Sequence, residues 1–200
     1  TLLLRVQSVV EKQSGNNLMK WTALKPDIAI CDEDDFLSLF NCATFIDILS
    51  GNDHFYVTST ARSSEKILTH LKTSTNELGG LLIGKVFKLS NNTKIVTHFS
   101  DCVPSVNFEN SPVSLKMGAE VWHRATNLLK EKEAIVGWYH SHPNLGVFFS
   151  GADRYNQKAS FSSDFHVGLV VDPVRNEEAL FHGENSIELP MKNYALVNGC

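Results

Sequence analysis

Two hundred residues, 42% of them hydrophobic, suffice to bury one sizeable core with room for an appendage. A formal net charge of -4 and the lack of any Lys/Arg-rich block remove the electrostatic case for nucleic-acid or membrane-surface binding, and no apolar run approaches the roughly 18 residues of a membrane span. Four cysteines, Cys31, Cys42, Cys102 and Cys200, lie far apart without a Cys-x-x-Cys spacing, as expected of ordinary thiols in a reducing, cytoplasmic setting.

The chain opens on Thr1, as a fragment or a processed chain would. Leu2 to Val10 is predicted as a strand, Ser14 to Asn17 as a turn, and Asp34 to Leu49 as a helix rich in Phe and Leu. The acidic run Asp32-Glu33-Asp34-Asp35 suits the positive end of that helix better than it suits a cation. The turn cluster Ser50-Gly51-Asn52-Asp53 marks a boundary between an N-terminal extension, residues 1–52, with no nameable chemistry, and a domain over 53–200. Phe55-Tyr56-Val57 reads as a strand, and Ser63 or Ser64 is expected to cap a helix with Ile67, Leu68 and Leu71 on one face. Leu78 to Leu89 is a strand that passes through the turn Asn91-Asn92 to a partner over Lys94 to Phe99. Met117, Val121, Ala125 and Leu128 recur at helical spacing, which predicts a helix over Lys116 to Glu131. Strands follow at Ala134 to His142, Phe165 to Asp172 and Glu178 to His182, the first two separated by a helix from Gly151 to Ser160. The fold class is therefore α/β, a mixed central sheet flanked by helices.

The strand entering His140-Ser141-His142 is short and apolar and stops at Pro143, which removes a backbone donor. Side chains alternate along a strand, so the two imidazoles share a face, roughly 7 Å apart at about 3.3 Å per residue. After seven intervening residues His142 is followed by Ser150, and Asp153 lies three positions further on. Two histidines and one acid make a ligand set for a catalytic zinc, which takes three protein ligands and keeps an open position. Two plainer readings stand beside this one. Ser150 and Asp153 also fit a capping box at the start of the predicted helix, and a His-x-His pair on a strand is more often structural or solvent-facing than metal-binding. Their joint occurrence favours the metal, because a capping box explains neither histidine and incidental histidines do not explain the acid. His54, His70, His98, His123, His166 and His182 have no comparable spacing, and His123 beside Trp122 suggests packing. The Gly79-Gly80 pair points to close backbone approach in a strand.

The pattern His-Ser-His, seven residues, Ser, two residues, Asp, set in Val-Gly-Trp-Tyr-His-Ser-His-Pro, resembles the signature of the zinc-dependent JAMM (MPN-plus) metallopeptidases. Glu77, opening Glu77-Leu78-Gly79-Gly80-Leu81-Leu82-Ile83-Gly84, is similar to that family's first core strand with its catalytic glutamate, and Val167-Gly168-Leu169-Val170-Val171-Asp172-Pro173 to the strand after the zinc-site helix. The resemblance covers roughly His54 to Gly183. It implies an MPN (JAB1/MPN) fold and one Zn2+ per chain held by His140, His142 and Asp153, with Glu77 as general base and acid and Ser150 as oxyanion donor. It further implies an isopeptidase of the deubiquitinase kind, acting on the C-terminal tail of ubiquitin or a ubiquitin-like protein, alone or with other subunits of a larger assembly. The segment Cys102 to Lys116 lies where the family carries an insertion that holds such a tail, which singles out Val103, Val106 and Phe108 as substrate contacts. Val147 and Phe148, in the loop Asn144 to Phe149, would form another wall, though core packing fits them equally. Two alternatives remain at this level: a zinc amidase or peptidase on sulfur-carrier or small peptide substrates, and a catalytically silent MPN scaffold that binds partner proteins. The four motif positions together with Glu77 argue against the scaffold, and no cysteine sits in a nucleophile context.

Overall fold

The computed structural model describes residues 30–39, 47–48, 50–89, 93–106, 108–111 and 114–197, with backbone alone at 108–111 and 114–116. Eleven strands and four α-helices are formed among these residues: β1 (Ile30–Cys31), α1 (Glu33–Leu39), β2 (Phe55–Thr60), α2 (Ala61–Leu71), β3 (Gly79–Leu89), β4 (Lys94–Pro104), β5 (Phe108–Ser111), β6 (Ser114–Met117), α3 (Ala119–Leu128), β7 (Ala134–Ser141), α4 (Gly151–Ser160), β8 (Val167–Asp172), β9 (Glu177–His182), β10 (Ile187–Glu188) and β11 (Tyr194–Val197). The strands other than β5 and β6 form a mixed sheet ordered β10-β9-β8-β7-β3-β4-β2-β11, with β1 pairing β3 in parallel. No helix among the described residues is long and apolar enough to cross a membrane.

β3 sits at the middle of this order because both its faces are apolar, as a strand covered on two sides requires. Leu82 and Val86 enter one core, with Val57, Ile67 and Leu71 on the α2 side. Leu81 and Ile83 point the other way, into a core completed by Val121 and Ala125 of α3 and by Trp138, Phe149 and Phe161. Leu81 and Leu82 are fully buried, and each such leucine contributes roughly 1.5–3 kcal/mol of burial free energy. Gly80 is required on packing grounds: a Cβ there would lie 2.3 Å from the Val103 carbonyl oxygen and 2.8 Å from the Tyr139 hydroxyl.

Several boundaries differ from the sequence-based expectation. The cap of α2 is Thr60, whose hydroxyl accepts from Ser63 N–H at 3.1 Å, so the helix starts earlier than a cap at Ser63 or Ser64 allows. The predicted helix over 116–131 contracts to α3: Gly118 is its N-cap, Met117 belongs to β6, and Leu128 is 55% exposed, off the shared face of Val121 and Ala125. β4 continues past Phe99 to Pro104, and the predicted 34–49 helix appears as α1, with helical residues 47, 48 and 50 beyond it. The strand predicted at 2–10, the turns at 14–17 and 91–92, and Cys42 and Cys200 lie outside the described residues. β11, which no sequence pattern announced, pairs in parallel with β2. Part of the N-terminal extension packs onto the sheet, with β1 against Val86 and Phe87 and with Phe36 edge-on to Phe87 at 5.2 Å.

The loop after β7 is held by one buried carboxylate. Asp172, at the end of β8, is fully buried and accepts backbone N–H groups from Asn144 (3.0 Å), Gly146 (2.9 Å), Val174 (3.0 Å) and Arg175 (3.1 Å). Asn144 and Gly146 both have positive φ, 61° and 87°, so this turn is a left-handed excursion that the carboxylate stabilises. Burial alone raises the Asp172 pKa, but the four backbone donors outweigh it and hold the group at about 2.

Two outcomes are expected. Thr60→Ala should lower stability by about 1 kcal/mol in urea unfolding, the usual cost of a lost N-cap. Asp172 titrates lower in the folded chain than the roughly 3.9 of an unfolded aspartate, so its contribution is complete above that pH and is lost as pH falls towards about 2. Asp172→Asn should therefore flatten the acid limb of the urea midpoint against pH, relative to the unsubstituted protein.

Candidate metal centre

Antiparallel pairing of β3 with β7 sets Gly79 opposite His140. The pairing continues beyond the strand end, where Ser141 N–H donates to the Leu78 carbonyl at 2.9 Å and Leu78 N–H donates to the Ser141 hydroxyl at 3.0 Å. Ser141, a mere spacer in the sequence motif, thus fixes the backbone next to Glu77. β8 holds the other flank in parallel, and His142 N–H donates to the Val171 carbonyl at 2.9 Å.

His140 and His142 share a face as strand alternation requires, and both are buried. Their Nε2 atoms lie 3.2 Å apart. α4 brings in Asp153 through a capping box: Ser150 N–H donates to Asp153 Oδ2 at 2.7 Å, and Asp153 N–H donates to Ser150 Oγ at 3.2 Å. This leaves Asp153 Oδ1 3.3 Å from His140 Nε2 and Oδ2 3.6 Å from His142 Nε2. The capping reading and the metal reading are therefore compatible, because the cap is what aims the carboxylate. Ligands held about 2.0–2.1 Å from a common tetrahedral ion lie about 3.3–3.4 Å from each other. The two Nε2 atoms meet that figure at 3.2 Å, and the Asp153 carboxylate approaches His140 through Oδ1 at 3.3 Å and His142 through Oδ2 at 3.6 Å, so the three residues, whose ligand atoms all lie within 4.8 Å of one another, could hold a metal ion. No other cluster of this kind occurs among the described residues.

The electrostatics agree with the geometry. Burial lowers the His142 pKa, and the neighbouring His140 ring lowers it further, which favours the neutral imidazole a metal needs. Burial works against ionisation of Asp153, yet the hydrogen bond and charge of His140 and the Ser150 donors hold it at about 2. Glu77 Oε1 lies 3.9 Å from His142 Nε2, at the rim of the site. Partial burial raises its pKa, the His140 charge opposes that, and the Asp153 carboxylate adds to it.

The remaining expected residues divide. Ser150 is half-buried beside Asp153, and its oxygen accepts from the helix. Phe148 is 47% exposed and its ring centre lies 4.7 Å from that of His142. Val147 is partly buried against the aromatic core, whereas Val106 is 73% exposed. Val103 is a correction to the expected substrate contacts: it is only 1% exposed, because alternation along β4 turns it into the core with Leu81 and Trp138. Of Phe108 only the backbone, on β5, is described. Asp172 entered the sequence reading only as part of a strand, although an Asp-Pro at a strand end before a turn is the signal that marks it.

A family model described as prokaryotic homologs of the JAB domain matches residues 60–182. The chain is 32% identical over 117 residues to COP9 signalosome complex subunit 5 of Candida albicans, covering 55% of this chain and 19% of that one. It is 50% identical over 46 residues to 26S proteasome non-ATPase regulatory subunit 14 of Caenorhabditis elegans, covering 22% of this chain and 14% of the other. The chain thus spans about a fifth or less of the length of these relatives. A protein of Desulfitobacterium hafniense, solved in solution, superposes with a TM-score of 0.51 at 20% identity over 71% of this chain and 93% of its own, a likeness of fold. With the family model covering more than half of its length, the chain is a member of the JAB/MPN family, matching it among the prokaryotic homologs of the JAB domain.

Proposed function

We propose that this chain is a zinc-dependent metallopeptidase that hydrolyses an isopeptide or peptide bond at the C-terminal tail of ubiquitin or a ubiquitin-like protein. The observation that carries this reading is the placement of the Glu77 carboxylate 3.9 Å from His142 Nε2, at the rim of a buried His-His-Asp set. His140, His142 and Asp153 would hold one zinc per chain. Bound there, zinc would lower the pKa of water to about 7 and polarise a substrate carbonyl.

The chain's own residues complete the reaction. Glu77 accepts a proton from the attacking water as the carbonyl carbon becomes tetrahedral, then delivers it to the leaving amine, so that the acid and amine products balance. Ser150 Oγ, anchored by the Asp153 N–H it accepts, donates to the developing oxyanion, a contribution on the order of 3 kcal/mol. Phe148 and Val106 supply apolar surface for a protein tail, and the hairpin of β5 and β6 lies in the segment expected to contact it.

The catalytic unit is residues 53–200, with 1–52 as an extension whose described part adds β1 to the sheet and packs α1 against β3. The matched relatives are named as subunits of the COP9 signalosome and the 26S proteasome, which supports action within a larger assembly. Cys31 and Cys102 are buried free thiols, in keeping with a cytoplasmic setting.

The substrate class is tested by incubating the protein with a panel of ubiquitin-like conjugates and tail peptides, with and without a chelator. Chelator-sensitive release of a carrier protein is expected; cleavage of small amides alone would overturn the assignment. Glu77→Gln should keep zinc bound while lowering turnover by about 10²–10⁴, read by metal analysis beside single-turnover assays. His142→Ala should lose zinc and activity together, and an intact metal content would refute its place as a ligand.

A further inference from the structure

Metal-ligating histidines ordinarily have their second ring nitrogen tied by a hydrogen bond, which sets the tautomer and the ring plane. His140 departs from this. Its Nδ1 is buried and has no partner among the described residues. The ring is instead held by aromatic packing: Trp138, two residues earlier on the same face of β7, lies parallel to it at 4.6 Å and 7°, and Phe149 flanks it at 5.9 Å.

Trp138 is fixed in turn. It is fully buried, and its indole Nε1 donates to Gln157 Oε1 at 2.7 Å. Gln157, also fully buried, uses its amide nitrogen to donate to the Phe161 carbonyl at 3.0 Å and the His166 carbonyl at 3.3 Å. Asp153 and Gln157 are the buried residues of α4, one helical turn apart on one face. The helix that delivers the acid therefore also delivers the group that locks the indole behind the imidazole. A buried, satisfied glutamine is a costly device for packing alone, since an apolar side chain of the same size avoids desolvating an amide.

We infer that Gln157 is a positioning residue for metal binding, acting through Trp138 to set the plane of the His140 ring. This rests on the metal-centre reading above. Gln157→Met keeps the side-chain volume and removes both the acceptor for Trp138 and the donors to the loop. The expected result is a zinc dissociation constant weakened by about 10- to 100-fold, together with an altered visible spectrum of the Co2+-loaded protein. Val57→Ala, in the core on the opposite face of the sheet, is the control: it lowers the unfolding midpoint of the metal-free protein but should leave zinc affinity within about threefold of wild type.

Affinity is measured by competition with a chelator on protein shown to be folded. Wild-type-like zinc affinity in Gln157→Met would overturn the inference, as would equal weakening in Val57→Ala, because affinity would then merely follow stability. Should Gln157→Met not fold, Trp138→Phe, which keeps a ring beside His140 but offers Gln157 no donor, is measured the same way with the same expected direction. Absence of zinc binding in the wild-type protein would fell the metal-centre reading itself, an outcome distinct from wild-type binding that the substitution leaves unchanged.

Discussion

Gly79 facing His140 across the β3–β7 ladder is the constraint on which the rest of the site depends. Strand pairing has a period of two residues, so a slip by one would turn His140 and His142 to the other face and remove Glu77 from their reach. Register is protected on both sides. Leu81 and Leu82 must enter opposite cores, and the Ser141 hydroxyl and backbone tie down Leu78 past the end of the strand. Gly80 completes the specification, since no side chain fits between Val103 and Tyr139 at that point.

Around this ladder the site is assembled from devices that are structural in origin. A helix cap aims Asp153, a carboxylate nested in four backbone donors shapes the loop beyond His142, and an indole stacks on His140. Each lies in a buried setting where an unpaired polar group would be costly, which is why the ligand atoms converge with little freedom. Glu77, by contrast with the buried histidines and Asp153, sits in a partly exposed position at the rim.

Legibility in the sequence followed the range of the interactions. His140 and His142 could be read together because strand alternation is local, and Ser150 with Asp153 because a capping box spans one helical turn. Glu77 is sixty-three residues from His140 and no local period connects them; family resemblance alone brought it in. The α2 cap was misplaced because Thr60, Ser63 and Ser64 all carry hydroxyls, and only the end of β2 decides among them. Val103 looked like a tail contact until the extension of β4 turned it inward. The Trp138–Gln157 bond and the reach of Asp172 back to Asn144 and Gly146 join residues 19 to 28 positions apart through backbone groups or single side chains, which leave no pattern to read.

Metal analysis of the protein purified without added metal and without chelator tests the central claim most directly. One tightly held zinc per chain is expected, with His140, His142 and Asp153 about 2.0–2.2 Å from it in a crystal structure phased at the zinc edge. Less than about half an equivalent of zinc, or an ion bound away from these three residues, would contradict it.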